Sequence, residues 1–146
     1  MHPPRRHAHI ALMESPPIRI AGLALVRAGA LLVVRKRGTA RFMLPGGKLE
    51  AGESPLDCLK RELDEELGVD IAPLGATALG QFSAPAANEP GRVVLSSVFR
   101  AAWPHVASPE PRAEIEAVDW RPLTGEGEDL APLLRLHVLP ALRGQA

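Results

Sequence analysis

Apolar residues along this chain fall into short blocks whose spacing changes from one block to the next. Ile18–Arg27 is aliphatic and β-branched, Ala28-Gly29 follows, and Ala30–Arg37 repeats the pattern. That predicts strand, tight turn, strand. Gly38–Arg41 is a polar connection. Phe42–Leu44 reads as a short strand ending at Pro45-Gly46-Gly47, where the backbone can turn sharply. The period then becomes helical. Leu56, Leu59, Leu63 and Leu67 fall on one narrow stripe, which predicts a helix over Ser54–Leu67 packed on a sheet. Ser54 suits the N-cap, Pro55 the first helical position and Gly68 the stop. Ala76–Phe82, Arg92–Ala102 and Glu114–Trp120 read as further strands, with Ser83–Gly91 a loop between the first two. Leu130–Leu142 has helical leucine spacing interrupted at Pro132 and Pro140. Strands on both sides of a helix, with a late second helix, predict an α/β or α+β fold built on a mixed sheet.

Residues 1–17 carry four prolines and no periodic apolar pattern, and are expected to be a flexible tail. The rest, 18–146, is expected to be a single domain, the size that a chain of 146 residues allows. His2, His7 and His9 lack carboxylate or thiol neighbours at ligand spacing, so they are read as solvated. Met13 is an alternative start. The formal net charge is 0, which provides no global field for nucleic acid or an anionic membrane. Aromatics make up 3% of the chain, too few for an extended base-stacking platform. The single Cys58 excludes an intrachain disulfide framework and a multi-cysteine zinc site. No apolar run reaches the length of a membrane span or signal peptide. The expectation is a soluble cytoplasmic protein with neither nucleic acid nor membrane as partner.

The chemistry concentrates in Gly47–Val69, GKLEAGESPLDCLKRELDEELGV. Glu62 and Glu66 are four apart, hence neighbours on one helix side, with Glu65 on the flank. Crowded carboxylates repel, and a divalent cation relieves the repulsion. All-oxygen ligation selects Mg²⁺ first and Mn²⁺ second. Arg61 is placed to orient a carboxylate through a bidentate pair, Glu53 lies just ahead of the helix, and Gly46-Gly47 lets a backbone carbonyl approach an ion. From helix chemistry alone, an ordinary solvated glutamate-rich face is an equal alternative.

The same segment resembles the Nudix hydrolase signature, G-x5-E-x7-R-E-U-x-E-E-x-G-U with U aliphatic. Gly47, Glu53, Arg61, Glu62, Leu63, Glu65, Glu66, Gly68 and Val69 match every fixed position. The two preceding strands, the PGG entry and the Glu116–Trp120 segment also look like the family. The resemblance implies a mixed sheet sandwiched between helices, and Mg²⁺-dependent hydrolysis of a nucleoside diphosphate linked to another moiety. It implies that Glu62, Glu65, Glu66 and the Gly46 carbonyl hold metal. It also implies that Arg61 orients and Glu53 supports the loop. Glu62 is the preferred base, with Glu114 or Glu116 as the late-loop alternative. Catalytic roles therefore fall on Glu62, Arg61, Glu53 and Glu65.

Substrate selection lies outside the motif. Arg35, Lys36, Arg37 and Arg41 precede it, and Arg41 is the preferred phosphate contact. Phe42, Phe82, Phe99 and Trp103 are the aromatic candidates for stacking on a base, each with a core reading beside it. Asn88 and Glu89 are candidates for reading a base or ribose, and Glu114 and Glu116 for substrate contact. The compact size and LPGGKLE entry favour a (deoxy)nucleoside triphosphate substrate of MutT-like, housecleaning type. Pro85 lies 16 positions past the motif, a placing that the family resemblance links to ADP-ribose hydrolysis, which implies an ADP-ribose or nucleotide-sugar pyrophosphatase instead. The absence of tyrosine argues against diadenosine-polyphosphate hydrolases. A non-catalytic nucleotide sensor is the reading of another class, and family habit allows a homodimer.

Overall fold

The computed structural model describes residues 16–144, so residues 1–15 of the expected tail, with its histidines and Met13, lie outside the described residues. Strand β1 (Ile18–Arg27) turns at Ala28-Gly29 into β2 (Ala30–Lys36). Ala28 and Gly29 have φ of 50° and 75°, and paired positive φ values match the right-handed twist of a two-residue hairpin. A three-residue strand, β3 (Gly46–Lys48), precedes helix α1 (Pro55–Leu67). Ser54 caps α1 by accepting a hydrogen bond from the Asp57 N–H at 3.1 Å. Gly68 ends it in the left-handed region at φ 65°. The chain continues through β4 (Thr77–Pro85), β5 (Val93–Ala102) and β6 (Ile115–Pro122). The last element is a π-turn over Leu134–Val138 running into α2 (Leu139–Gly144).

The strands form one mixed six-stranded sheet in the order β4-β5-β1-β2-β6. β1 pairs with β5 in parallel, Ile18 opposite Val94 through Val26 opposite Ala102. Its pairing with β2 is confined to Val26 and Arg27. The two strands then part, and β3 takes the freed edge of β1, with Ile20, Ala21 and Gly22 opposite Lys48, Gly47 and Gly46. This split places the bend at Pro45 and the two glycines that follow it in β3, the glycine turn, beside the middle of the sheet.

Alternation sorts the strand residues onto two buried layers. Ala21, Leu23, Leu25, Leu32 and Val34 pack with Cys58, Leu59, Leu63 and Leu67 of α1. Ala24, Leu31 and Val33 pack on the other face with Leu133, Leu134, Val138, Leu139 and Leu142. The sheet is therefore held between helices, as the family resemblance implied.

Four local expectations differ, the first that β4 runs on to Pro85, so Ser83–Pro85 are strand instead of loop. Burial on α1 begins in its second turn, and Leu56 is exposed. Phe42–Leu44 makes two isolated bridges, Val34 with Met43 and Phe42 with Leu130, instead of a strand. The late helix runs through Pro140 by widening. Leu139 N–H bonds the carbonyl five residues back, at Leu134. A wide turn accommodates a proline that has no N–H and whose ring crowds the carbonyl four residues back.

Candidate active site

The glycine turn at the start of β3 and the middle of α1 meet at the core of the site. Gly46 has φ 144°, and a Cβ there would overlap the Ala21 carbonyl oxygen across the β1–β3 pair. Its N–H donates to Glu66 Oε1 at 3.0 Å. Glu66 is 2% exposed, and its Oε2 has no hydrogen-bond partner among the described residues. Burial, helped by the charge of Glu62, holds the Glu66 carboxyl well above the ordinary carboxylate range, against the pull of the Gly46 N–H. A Cβ at Gly47 would stand 2.6 Å from Glu62 Oε2, so glycine is what lets Glu62 lie against this backbone.

Arg61 fixes the arrangement from the flank. Its Nε and Nη2 donate to the two oxygens of Glu53 at 2.9 and 2.8 Å, a bidentate fork. Nη1 donates to Glu62 Oε1, and Nη2 reaches the Lys48 carbonyl at 3.2 Å. Glu53 also accepts from the Glu50 N–H at 3.0 Å. The Arg61 hydrogen bonds, with that backbone N–H, lower the Glu53 pKa to about 2. Cys58 ties α1 to the turn, its thiol donating to the Gly47 carbonyl at 3.4 Å. Burial and the charge of Glu53 push the thiol up to about 11, which excludes a thiolate nucleophile near neutral pH.

A cavity of about 600 Å³ opens beside this unit. Gly46, Gly47, Lys48, Arg61 and Glu62 line part of it, and Ile18, Ile20, Leu44, Val94, Ser96 and Leu133 line another. Of the expected residues, Asn88, Glu89 and Glu114 also line it. Glu89 is paired with Lys48 at 2.8 Å, and Glu114 with Lys36 at 3.5 Å. Glu53 stands behind Arg61, and Glu66 lies beneath Gly46. Glu65 is exposed and outside the lining.

Arg41, Phe42 and Glu116 also lie outside the lining. Met43 lines the cavity, and in an extended chain the preceding Phe42 faces away. The Phe42 ring is covered instead by the guanidiniums of Arg121 at 4.9 Å and Arg35 at 5.7 Å. Glu116 is turned to Arg35 at 2.7 Å. No aromatic residue lines the cavity among the described residues. Phe82 stacks on His137, Trp103 meets His105 edge-on, and Phe99 packs on the core beneath α1.

Lys48 and Ser96 went unselected in the sequence. Lys48 is an unspecified position of the motif, flagged only by adjacency to the glycine turn. Ser96 interrupts the alternation Val94, Ser96, Val98 with a hydroxyl on a buried strand face, which is a legible signal.

The donors suit a hard divalent cation. Glu66 Oε2 is an unpartnered, buried carboxylate oxygen next to Glu62, beneath a turn that a side chain would obstruct. Among the described residues no group of three or more His, Cys, Asp or Glu side chains is gathered as a ligand set. A site of this kind takes its remaining oxygens from backbone and substrate phosphate.

Comparison with known proteins gives a consistent picture. A NUDIX domain profile matches residues 16–137. A MutT-like protein of Streptomyces ambofaciens is 29% identical over 133 residues, covering 89% of this chain and 81% of that protein. A Mycobacterium tuberculosis protein named as a candidate 8-oxo-dGTP diphosphatase is 36% identical over 121 residues, covering 72% of this chain and 80% of that one. The crystal structure of a MutT NUDIX hydrolase from Burkholderia pseudomallei superposes with a TM-score of 0.65 at 28% identity, covering 88% of this chain and 98% of that chain.

Proposed function

The chain belongs to the NUDIX family of hydrolases, and from that premise we propose that it cleaves a (deoxy)nucleoside triphosphate to the monophosphate and pyrophosphate, with Mg²⁺ as cofactor. The observation that carries this reading is the buried Glu66 carboxylate with one free oxygen, set beside Glu62 under the glycine turn and next to the cavity. Glu62, Glu66 and the Gly46 carbonyl are assigned as metal-holding groups. Glu65 is the further carboxylate by family pattern. The ion, when bound, would offset the charge of the phosphate oxygens and lower the pKa of a water.

The chain's own groups supply the rest. Lys36 and Lys48 line the cavity and are placed to bind phosphate oxygens once released from Glu114 and Glu89. Arg61, locked by Glu53, holds the Glu62 carboxylate in one orientation. Glu62 then accepts the proton of the attacking water as the P–O–P bridge opens, and the leaving pyrophosphate takes the bridging oxygen with its electron pair.

ADP-ribose is the second reading, favoured by Pro85, which lines the cavity. A panel of ribo- and deoxyribonucleoside triphosphates plus ADP-ribose, with products resolved by mass, decides between them. The expected outcome is a monophosphate and pyrophosphate from a triphosphate, abolished by EDTA and restored by excess Mg²⁺. AMP from ADP-ribose, with triphosphates left intact, would replace the first reading by the second. Binding without turnover of any member would make the protein a sensor.

A further inference from the structure

We propose that Ser96 is a specificity-determining residue whose hydroxyl hydrogen-bonds the polar edge of a nucleobase seated in the apolar part of the cavity. This rests on the nucleotide reading above. Ser96 is 0% exposed, lines the cavity, and its Oγ has no hydrogen-bond partner among the described residues. Besides Glu66 Oε2 it is the other buried side-chain oxygen left in that state there. An orphaned hydroxyl on an apolar strand face costs stability unless something meets it. Its surroundings offer nothing of the kind. Ile20 of β1 and Phe82 of β4 stand directly opposite it, and Val94 and Val98 flank it on the same strand face, all of them apolar.

The position suits a base. Ser96 is opposite Ile20 of β1, and Ile20 is opposite Lys48 of β3. Two strand spacings separate Ser96 from the glycine turn, about 10 Å. A nucleotide whose phosphates lie at Lys48 and Glu62 would extend its base toward Ser96. With no aromatic in the lining, stacking contributes little, and discrimination falls to hydrogen bonding.

Titration calorimetry with the full-length protein tests this. The probes are guanosine and adenosine 5′-monophosphate against purine riboside 5′-monophosphate, which lacks exocyclic polar groups. Wild type should bind at least one of the first two about three- to tenfold more tightly than the third. Ser96→Ala should bring the ratio near one while melting at the same temperature or higher, since it removes an unmet buried hydroxyl. A ratio unchanged in Ser96→Ala, a wild type that does not discriminate, or one that binds none of the three would each overturn the proposal. A ratio lost in the variant, in a protein that hydrolyses no triphosphate, would retain the Ser96 site and remove the substrate reading instead.

Discussion

Glu66 holds two conflicting demands in one side chain. Oε1 is satisfied by the Gly46 N–H and fixes the glycine turn, while Oε2 is buried without a partner. The charged form is therefore costly in the protein without metal. In the unfolded chain Glu66 loses its proton in the ordinary carboxylate range, whereas in the folded chain it keeps the proton to higher pH. Over that interval unfolding releases a proton, so stability falls as pH rises. Melting curves in chelator from pH 5.5 to 9 should show a steeper loss for wild type than for Glu66→Gln, which mimics the protonated form. Parallel slopes would show that Glu66 titrates normally. The sequence made Glu62, Glu66, Arg61 and Glu53 legible because motif spacing fixes which helix positions face the turn. It did not fix the orientation of Phe42 or Glu116, which depends on a local bridge and on the ion pair with Arg35. The alternation that turns Phe42 away while Met43 lines the cavity is set by the bridges to Val34 and Leu130.

Helix α1 acts as the rigid arm of the site, and its ends are set by local chemistry that sequence declares openly: Ser54, Pro55 and Gly68. Ser54→Ala removes the bond to the Asp57 N–H and should cost about 1 kcal/mol. For a domain of this size that lowers Tm by about 3–5 °C. Turnover per folded molecule should stay at the wild-type level, since Ser54 does not line the cavity. A large loss of turnover with unchanged Tm would mean that the cap region enters the chemistry. The C-terminal element was less legible. Its leucine spacing pointed to a helix, but Pro132 and Pro140 implied breaks, and the π-turn that carries the chain through Pro140 has no local signature.

Across the whole molecule, the site depends on pairings far apart in sequence. β1 leaves β2 after two residues and takes β3 and β5 as neighbours, which joins the glycine turn, Lys48, Ile20 and Ser96 in one row. The aliphatic blocks showed that strands exist. Strand order, and with it the cavity, was beyond reach because pairing is fixed by long-range packing. The family signature filled part of that gap by implying the sandwich.

On the proposed reading the glycine turn and α1 hold a divalent ion through Glu66 for pyrophosphate cleavage. It is tested most directly by comparing Mg²⁺-dependent turnover of wild type and Glu66→Gln on the preferred triphosphate, with circular dichroism confirming equal folding. The kcat of the variant should fall at least roughly 100-fold at saturating Mg²⁺. Wild-type kcat in a folded Glu66→Gln protein would contradict it.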